Sequence, residues 1–159
     1  MSLEEDTHPQ DSGSRGMHYL RFWTRYFERV RALHPTWVGK RNPIPRSWVG
    51  QSSGTPGTYI SVCFGRGGKL RHELYIDTGG AAENEALFED LRRHREELET
   101  AYGRPLDFQR LPGKRGCRIA DHAAGDVMDE DHWNEFIEWF LDAGARLRRA
   151  LAETRFSGA

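Results

Sequence analysis

Two alternating runs joined by a short glycine-rich link limit what this chain can fold into more than any other feature. TYISVCF (58–64) and LRHELYID (70–77) flank GRGGK (65–69). Side chains along a strand point alternately to opposite faces. Ile60, Val62 and Phe64 therefore share one side of the first run, and Leu70, His72, Leu74 and Ile76 share one side of the second. The link is too short for a parallel return, which needs about a dozen residues or more, so the pair is an antiparallel hairpin. Its register follows as well, because a slip of one residue would send one apolar row into water. The opposite face must then gather Tyr59, Ser61 and Cys63 beside Arg71, Glu73 and Tyr75. GRGGK lacks the glycine spacing and the Ser/Thr of a phosphate-binding loop, and reads as the turn of the hairpin.

The rest of the chain supplies what such a hairpin needs to bury its apolar side. HYLRFWTRYFERVRAL (18–33) carries Tyr19, Trp23, Tyr26, Phe27, Val30 and Leu33 at three- and four-residue steps, one helical stripe. His34-Pro35 ends it, since proline disfavours helical geometry in the residue before it. Residues 35–57 are rich in Pro and Gly and read as a loop with a short extended piece near Ser47–Gly50. A second helix is expected over NEALFEDLRRHREELETAYG (84–103), with Leu87, Phe88, Leu91, Leu98 and Tyr102 inward and Gly103 as its stop. RPLDFQRL and RGCRIADH form another strand pair turning at Pro112-Gly113, with Phe108, Cys117 and Ile119 inward and Asp107, Gln109 and Arg118 outward. DEDHWNEFIEWFLDAGARLRRAL (129–151) closes the order as a helix striped by Trp133, Phe136, Ile137, Phe140, Leu147 and Leu151. Its acids stand at the positive N-terminal end and its arginines at the negative C-terminal end.

This order predicts an α+β fold: a single antiparallel sheet of four to five strands with three helices packed mainly on one face. The chain of 159 residues suits one domain. We place that domain at 17–153, after a polar, aperiodic tail (1–16) expected to be disordered and before a short C-terminal tail (154–159). Lys+Arg 23 against Asp+Glu 24 leaves no bulk basicity, so any surface for nucleic acid must be local. The two cysteines, Cys63 and Cys117, fall on opposite faces of the sheet and cannot meet within the ~7 Å between Cα atoms that a disulfide needs. Reduced thiols, no membrane-length apolar run and no signal-peptide pattern point to a cytoplasmic protein.

The polar sheet face is the leading candidate for function. Tyr59, Arg71, Tyr75, Lys114 and Arg118, with Glu73 orienting the arginines, combine aromatic and basic groups on an open sheet. That composition suits stacked single-stranded bases and phosphates, or a protein partner. The plainer reading of the same residues is a solvated strand face of ordinary cross-strand pairs. A homodimer through this face is a further alternative, because tyrosine and arginine are enriched at such contacts. A metal-dependent nuclease would draw on Glu73, Asp77 and Asp107. Glu73-Leu74-Tyr75 and Asp107-Phe108-Gln109, however, lack the lysine of the acidic-x-lysine step used by restriction-type nucleases, and two-metal chemistry needs several converging carboxylates. DHAAGDVMDEDH (121–132) holds two histidines and four aspartates, but matches neither an EF-hand loop nor a zinc helix. No catalytic residue, metal site or cofactor is assigned. Arg21, Arg25 and Arg29 form a basic stripe on the first helix, read as its solvated side, with phosphate contact as the alternative.

RHELYID, NEALFEDLRRHREELETAYGRPLDFQRL, KRGCRIADH and HWNEFIEWFLDAGARLRRAL together resemble the domain of unknown function family 4268 (DUF4268), a bacterial and archaeal group. With FWTRYFERVRALHP at the front, the resemblance runs from residue 18 to 151. Similar domains often follow a nuclease-like region in longer proteins. The resemblance therefore implies an accessory role in a DNA-related or defence system, and it brings no catalytic residues with it.

Overall fold

The computed structural model describes residues 13–111 and 116–156. Of the tail expected over 1–16, residues 1–12 lie outside the described residues, as do the turn at Pro112-Gly113 and Lys114, while 14–16 are helical. Helix α1 (Ser14–Leu33) leads through a short 3-10 turn (Pro35–Trp37) to strands β1 (Trp48–Gln51), β2 (Thr58–Gly65) and β3 (Lys69–Ile76). Helices α2 (Ala81–Arg93) and α3 (Arg95–Tyr102) follow, then β4 (Asp107–Arg110), β5 (Cys117–Ala124) and α4 (Trp133–Glu153). The strands form one sheet in the order β1-β2-β3-β5-β4, antiparallel throughout. This is the α+β class read from the sequence.

The hairpin has the expected register. Ile60 faces Leu74, Val62 faces His72 and Phe64 faces Leu70, while Tyr59–Tyr75, Ser61–Glu73 and Cys63–Arg71 pair on the other side. Gly67 and Gly68 turn the chain at φ 76° and 69°, left-handed values that glycine adopts without steric cost. The apolar row packs under α1 and α4. The Phe64 ring lies 4.8 Å from Phe22 and 5.9 Å from Phe140, both edge-on. Phe22 also meets Trp133 edge-on at 5.4 Å. Aromatic pairs in this geometry add stabilisation beyond the area they bury. Toward the other edge of the sheet, Phe88 of α2 covers Phe108 of β4 at 6.2 Å.

The structure departs from the sequence reading at four places. Helix α1 begins at Ser14 rather than His18, and its stripe ends at Val30: Leu33 is 51% exposed, while Phe22 is fully buried. The single helix expected over 84–103 is broken at His94 (φ −99°, ψ 21°), which separates α2 from α3. There the His94 amide bonds to the Leu91 carbonyl, and its Nδ1 lies 2.8 Å from the Asp90 carbonyl. That contact at Asp90 is a side-chain substitute for a regular backbone bond. After α4, Thr154 and Phe156 are buried where a tail was expected.

The basic stripe of α1 lies on its solvated side, as expected, and it also reaches polar partners near the start of α4. Arg21 bonds to Glu130 at 2.9 Å, Arg25 to Asn134 at 2.6 Å and Arg29 to Glu138 at 2.8 Å, each pair spaced 109 residues apart. Partner numbers rise together on both segments, so α1 and α4 run in the same direction. Both are lined at four-residue steps, one helical turn per rung.

Candidate binding face

The polar row is gathered on the face opposite the helices, as expected, but it is not wetted. Arg71 is 5% exposed, Glu73 0%, Tyr75 1% and Arg118 9%. The expectation of an open, solvated row is therefore corrected, and the cause is local. Arg71 donates from Nε to Glu73 Oε1 at 2.6 Å, and Arg118 Nη1 reaches the same oxygen at 3.5 Å. One carboxylate thus draws two long side chains down onto the sheet. Burying a carboxylate is costly unless it is paired and hydrogen-bonded, and this arrangement meets that condition. Glycines make room for the neighbours. A Cβ on Gly65 would lie 3.3 Å from Arg71 Nη1, and one on Gly116 would strike the Tyr75 ring at 2.6 Å. Tyr75 lies against Tyr59, ring centres 5.2 Å apart. Burial pushes the Tyr59 hydroxyl well above the ordinary tyrosine range, helped by Tyr75, Glu73 and Asp77.

At the centre of this face β5 presents Ala120, whose cross-strand neighbours are Glu73 on β3 and Asp107 on β4. A depression of about 240 Å³ lies on this face. Arg66 and Lys69, at the hairpin end, and Arg71 and Arg118 border it. On its outer side stand Asp107, Gln109 and His122. The Gln109 amide bonds Asp107 Oδ2, while its carbonyl accepts from Arg118 Nε at 2.7 Å. His122 Nε2 lies 3.4 Å from Asp107 Oδ2. Partial burial lowers the pKa of His122, Lys69 and Arg71 lower it further, and Asp107 opposes them. Among the described residues that line it, Arg66, Lys69, Arg71 and Arg118 are cationic and Asp107 is acidic, with Glu73 enclosed beneath Arg71.

Of the residues singled out from the sequence, Arg71, Glu73 and Arg118 converge on one oxygen. Tyr59 and Tyr75 form a pair toward the other end of the strands. Arg66, Lys69 and His122 were not assigned to the site. Lys69 lay within reach of the alternation argument, since it stands two residues before Arg71 on the same face. His122 likewise stands on the same face of β5 as Arg118. The carboxylates of the nuclease reading do not converge: Glu73 is held by arginines, Asp107 lies across Ala120 from it, and Asp77 caps the Gly79 amide past the end of β3. Among the described residues no group of three or more His, Cys, Asp or Glu is placed to hold a metal. The acidic stretch 121–132 is dispersed, with Asp121 bound to Tyr102 and Arg104, and Asp129 to His132. Cys63 and Cys117 are free and buried. Among the described residues no helix is long and apolar enough to cross a membrane.

A second polar group, unsuspected from the sequence, lies on the helix side. Tyr26 accepts from Gln51 at 2.6 Å, and Arg148 donates to the Ser52 carbonyl at 2.6 Å while lying 3.8 Å over the Trp37 ring. Burial pushes Arg148 down to about 10 and His72 down to about 3. These groups pin the 35–57 loop to α4.

Across residues 18–155 the chain matches the family described as Domain of unknown function (DUF4268). It belongs to that family. The match takes in every strand and nearly all of α1 and α4, so the polar face and its depression lie wholly inside the DUF4268 region. No curated protein and no solved structure matches the chain.

Proposed function

We propose that this DUF4268 domain is a non-enzymatic binding module that holds an anionic partner on its polar sheet face, and that the partner is a nucleic acid. The observation that carries the reading is the shared carboxylate. Glu73 fixes Arg71 and Arg118 beside a depression that also collects Arg66 and Lys69, so cations outnumber carboxylates among the described residues that line it, although the whole chain is nearly neutral. Fixed guanidinium groups lose little freedom when they bind phosphate and present paired donors to its oxygens. The excess of positive charge supports a phosphate-bearing partner over a protein surface of mixed charge. The family resemblance supports an accessory role in a DNA-related or defence system of a bacterial or archaeal cell, and the free cysteines support the cytoplasm.

Lys69 tests the reading better than the buried arginines, whose loss would strand Glu73. Fluorescence anisotropy with single-stranded oligonucleotides should show binding that persists in EDTA and weakens with salt. Lys69→Ala should weaken it and reduce the slope of log K against log salt by about 1. A variant that binds as tightly as the parent across the titration would remove this face from the account. Binding to an acidic polypeptide in preference to any oligonucleotide would replace the partner class. Concentration-dependent sedimentation that Lys69→Glu abolishes would make the face a contact between two copies.

A further inference from the structure

We infer that Trp48 is a stacking platform for an unpaired nucleobase, so that the nucleic acid held on this face is single-stranded where it meets the β1 edge. The inference rests on the binding function proposed above and specifies its ligand. Three observations carry it.

The first is the state of the ring. Trp23 donates to the Arg46 carbonyl and meets Phe22 edge-on. Trp37 stacks with His34 and lies beneath Arg148. Trp133 donates to the Val127 carbonyl, and Trp139 meets Phe140 edge-on. Trp48 is half-buried, and among the described residues its side chain has no aromatic, cationic or hydrogen-bonding partner.

The second is its seat. Trp48 and Gly50 stand on the polar side of β1, opposite Cys63 and Ser61. Gly50 has no side chain, and a Cβ there would lie 3.8 Å from the Trp48 ring. The ring therefore leans over Gly50 toward the sheet, and no described ring or cation covers it.

The third is its company. The register sets Trp48, Cys63, Arg71 and His122 in one line across four strands. At about 4.8 Å per strand, the Trp48 backbone stands roughly 10 Å from that of Arg71 and roughly 14 Å from that of His122. Arg46, two residues before Trp48, and Lys69, two before Arg71, are exposed at the hairpin end of this line. An aromatic surface beside cations is the arrangement that holds bases by their faces and the backbone by its phosphates. In a duplex each base face is covered by its neighbours, so a base that lies on Trp48 has left the stack.

The test measures anisotropy with an oligothymidine decamer, its abasic counterpart and a blunt hairpin duplex, at pH 7.5 with EDTA. The parent should bind the decamer about tenfold or more tighter than the other two. Trp48→Ala should weaken decamer binding about tenfold, the scale of one lost stacked base, and leave abasic binding unchanged. It should not alter the slope of log K against log salt, whereas Lys69→Ala should. Trp48→Phe should keep most of the affinity, and Trp48→Leu, which retains apolar bulk without an aromatic face, should not. An equal loss for all three ligands would give Trp48 a structural role and overturn the inference. Undiminished decamer binding in Trp48→Ala, still dependent on Lys69, would overturn it while leaving the nucleic-acid face standing. A duplex bound as tightly as the decamer would overturn the single-stranded ligand. Failure of the parent to bind any of the three would overturn both readings.

Discussion

Both faces of the sheet bury their central side chains, and they do so by opposite means. The helix-covered face is closed by volume, with Phe22, Phe64, Trp133 and Phe140 meeting edge to face. The polar face is closed by charge, with Arg71 and Arg118 drawn down over Glu73. Closure by volume tolerates changes of pH and salt but not of shape. Closure by charge tolerates shape but fails when the balance of charges changes. That difference places a ligand on the second face, because an arriving anion alters a charge balance and leaves a packed aromatic core untouched.

The largest expected effect lies on the volume side. Phe22→Ala should cost about 3–5 kcal/mol in chemical denaturation, with little response to salt. Glu73→Ala should cost about 3 kcal/mol, because two largely buried guanidinium groups lose their counter-charge. The comparison sharpens in a triple variant, Arg71→Met with Glu73→Leu and Arg118→Met. It should recover parental stability to within about 1 kcal/mol yet lose oligonucleotide binding. A triple variant as unstable as Glu73→Ala alone would show that charge pairing is not what closes this face.

The next effect concerns His72, a buried histidine on the volume side. Burial keeps His72 neutral in the folded chain down to about pH 3, whereas an unfolded histidine takes up its proton near 6.5. Between those values the unfolded state holds more protons. Stability should therefore fall as pH drops below 6.5, by at most about 1.4 kcal/mol per unit, and no such penalty exists above it. His72→Leu should flatten the acid limb of a stability–pH curve while leaving stability at pH 7.5 close to the parent's. An unchanged acid limb would place the titrating group elsewhere. The smallest effect belongs to the α1–α4 ladder: Arg29→Ala should cost less than about 1 kcal/mol, since that pair is roughly half exposed, and should not alter binding.

The hairpin, its register and the division of residues between its faces were legible because alternation and a short turn admit one pairing. What happens above the sheet was not. Alternation says which way Arg71 and Tyr75 point, but not that they lie down. That outcome depends on Gly65, Gly116 and the shared carboxylate, and it turned an expected wet row into a buried network. Lys69 and His122 obey the same period-two rule, but they stand at the ends of their strands, where alternation alone does not separate a face residue from a turn residue. The rungs from Arg21, Arg25 and Arg29 were out of reach for a different reason. Their acceptors sit 109 residues downstream, and a helical stripe looks the same facing solvent or facing a partner helix. The break at His94 has no signature either, since histidine within a helical pattern is ordinary.

The parallel ladder between the first and last helices also bears on how the protein is made. Phe22 and Phe64 emerge from the ribosome long before Trp133 and Phe140 exist to cover them. The sheet and its first helix must therefore stay greasy and half-assembled until α4 is synthesised. A chain that stopped short of α4 would leave Phe22 and Phe64 without the Trp133 and Phe140 rings that cover them, and exposed apolar surface of that kind favours aggregation.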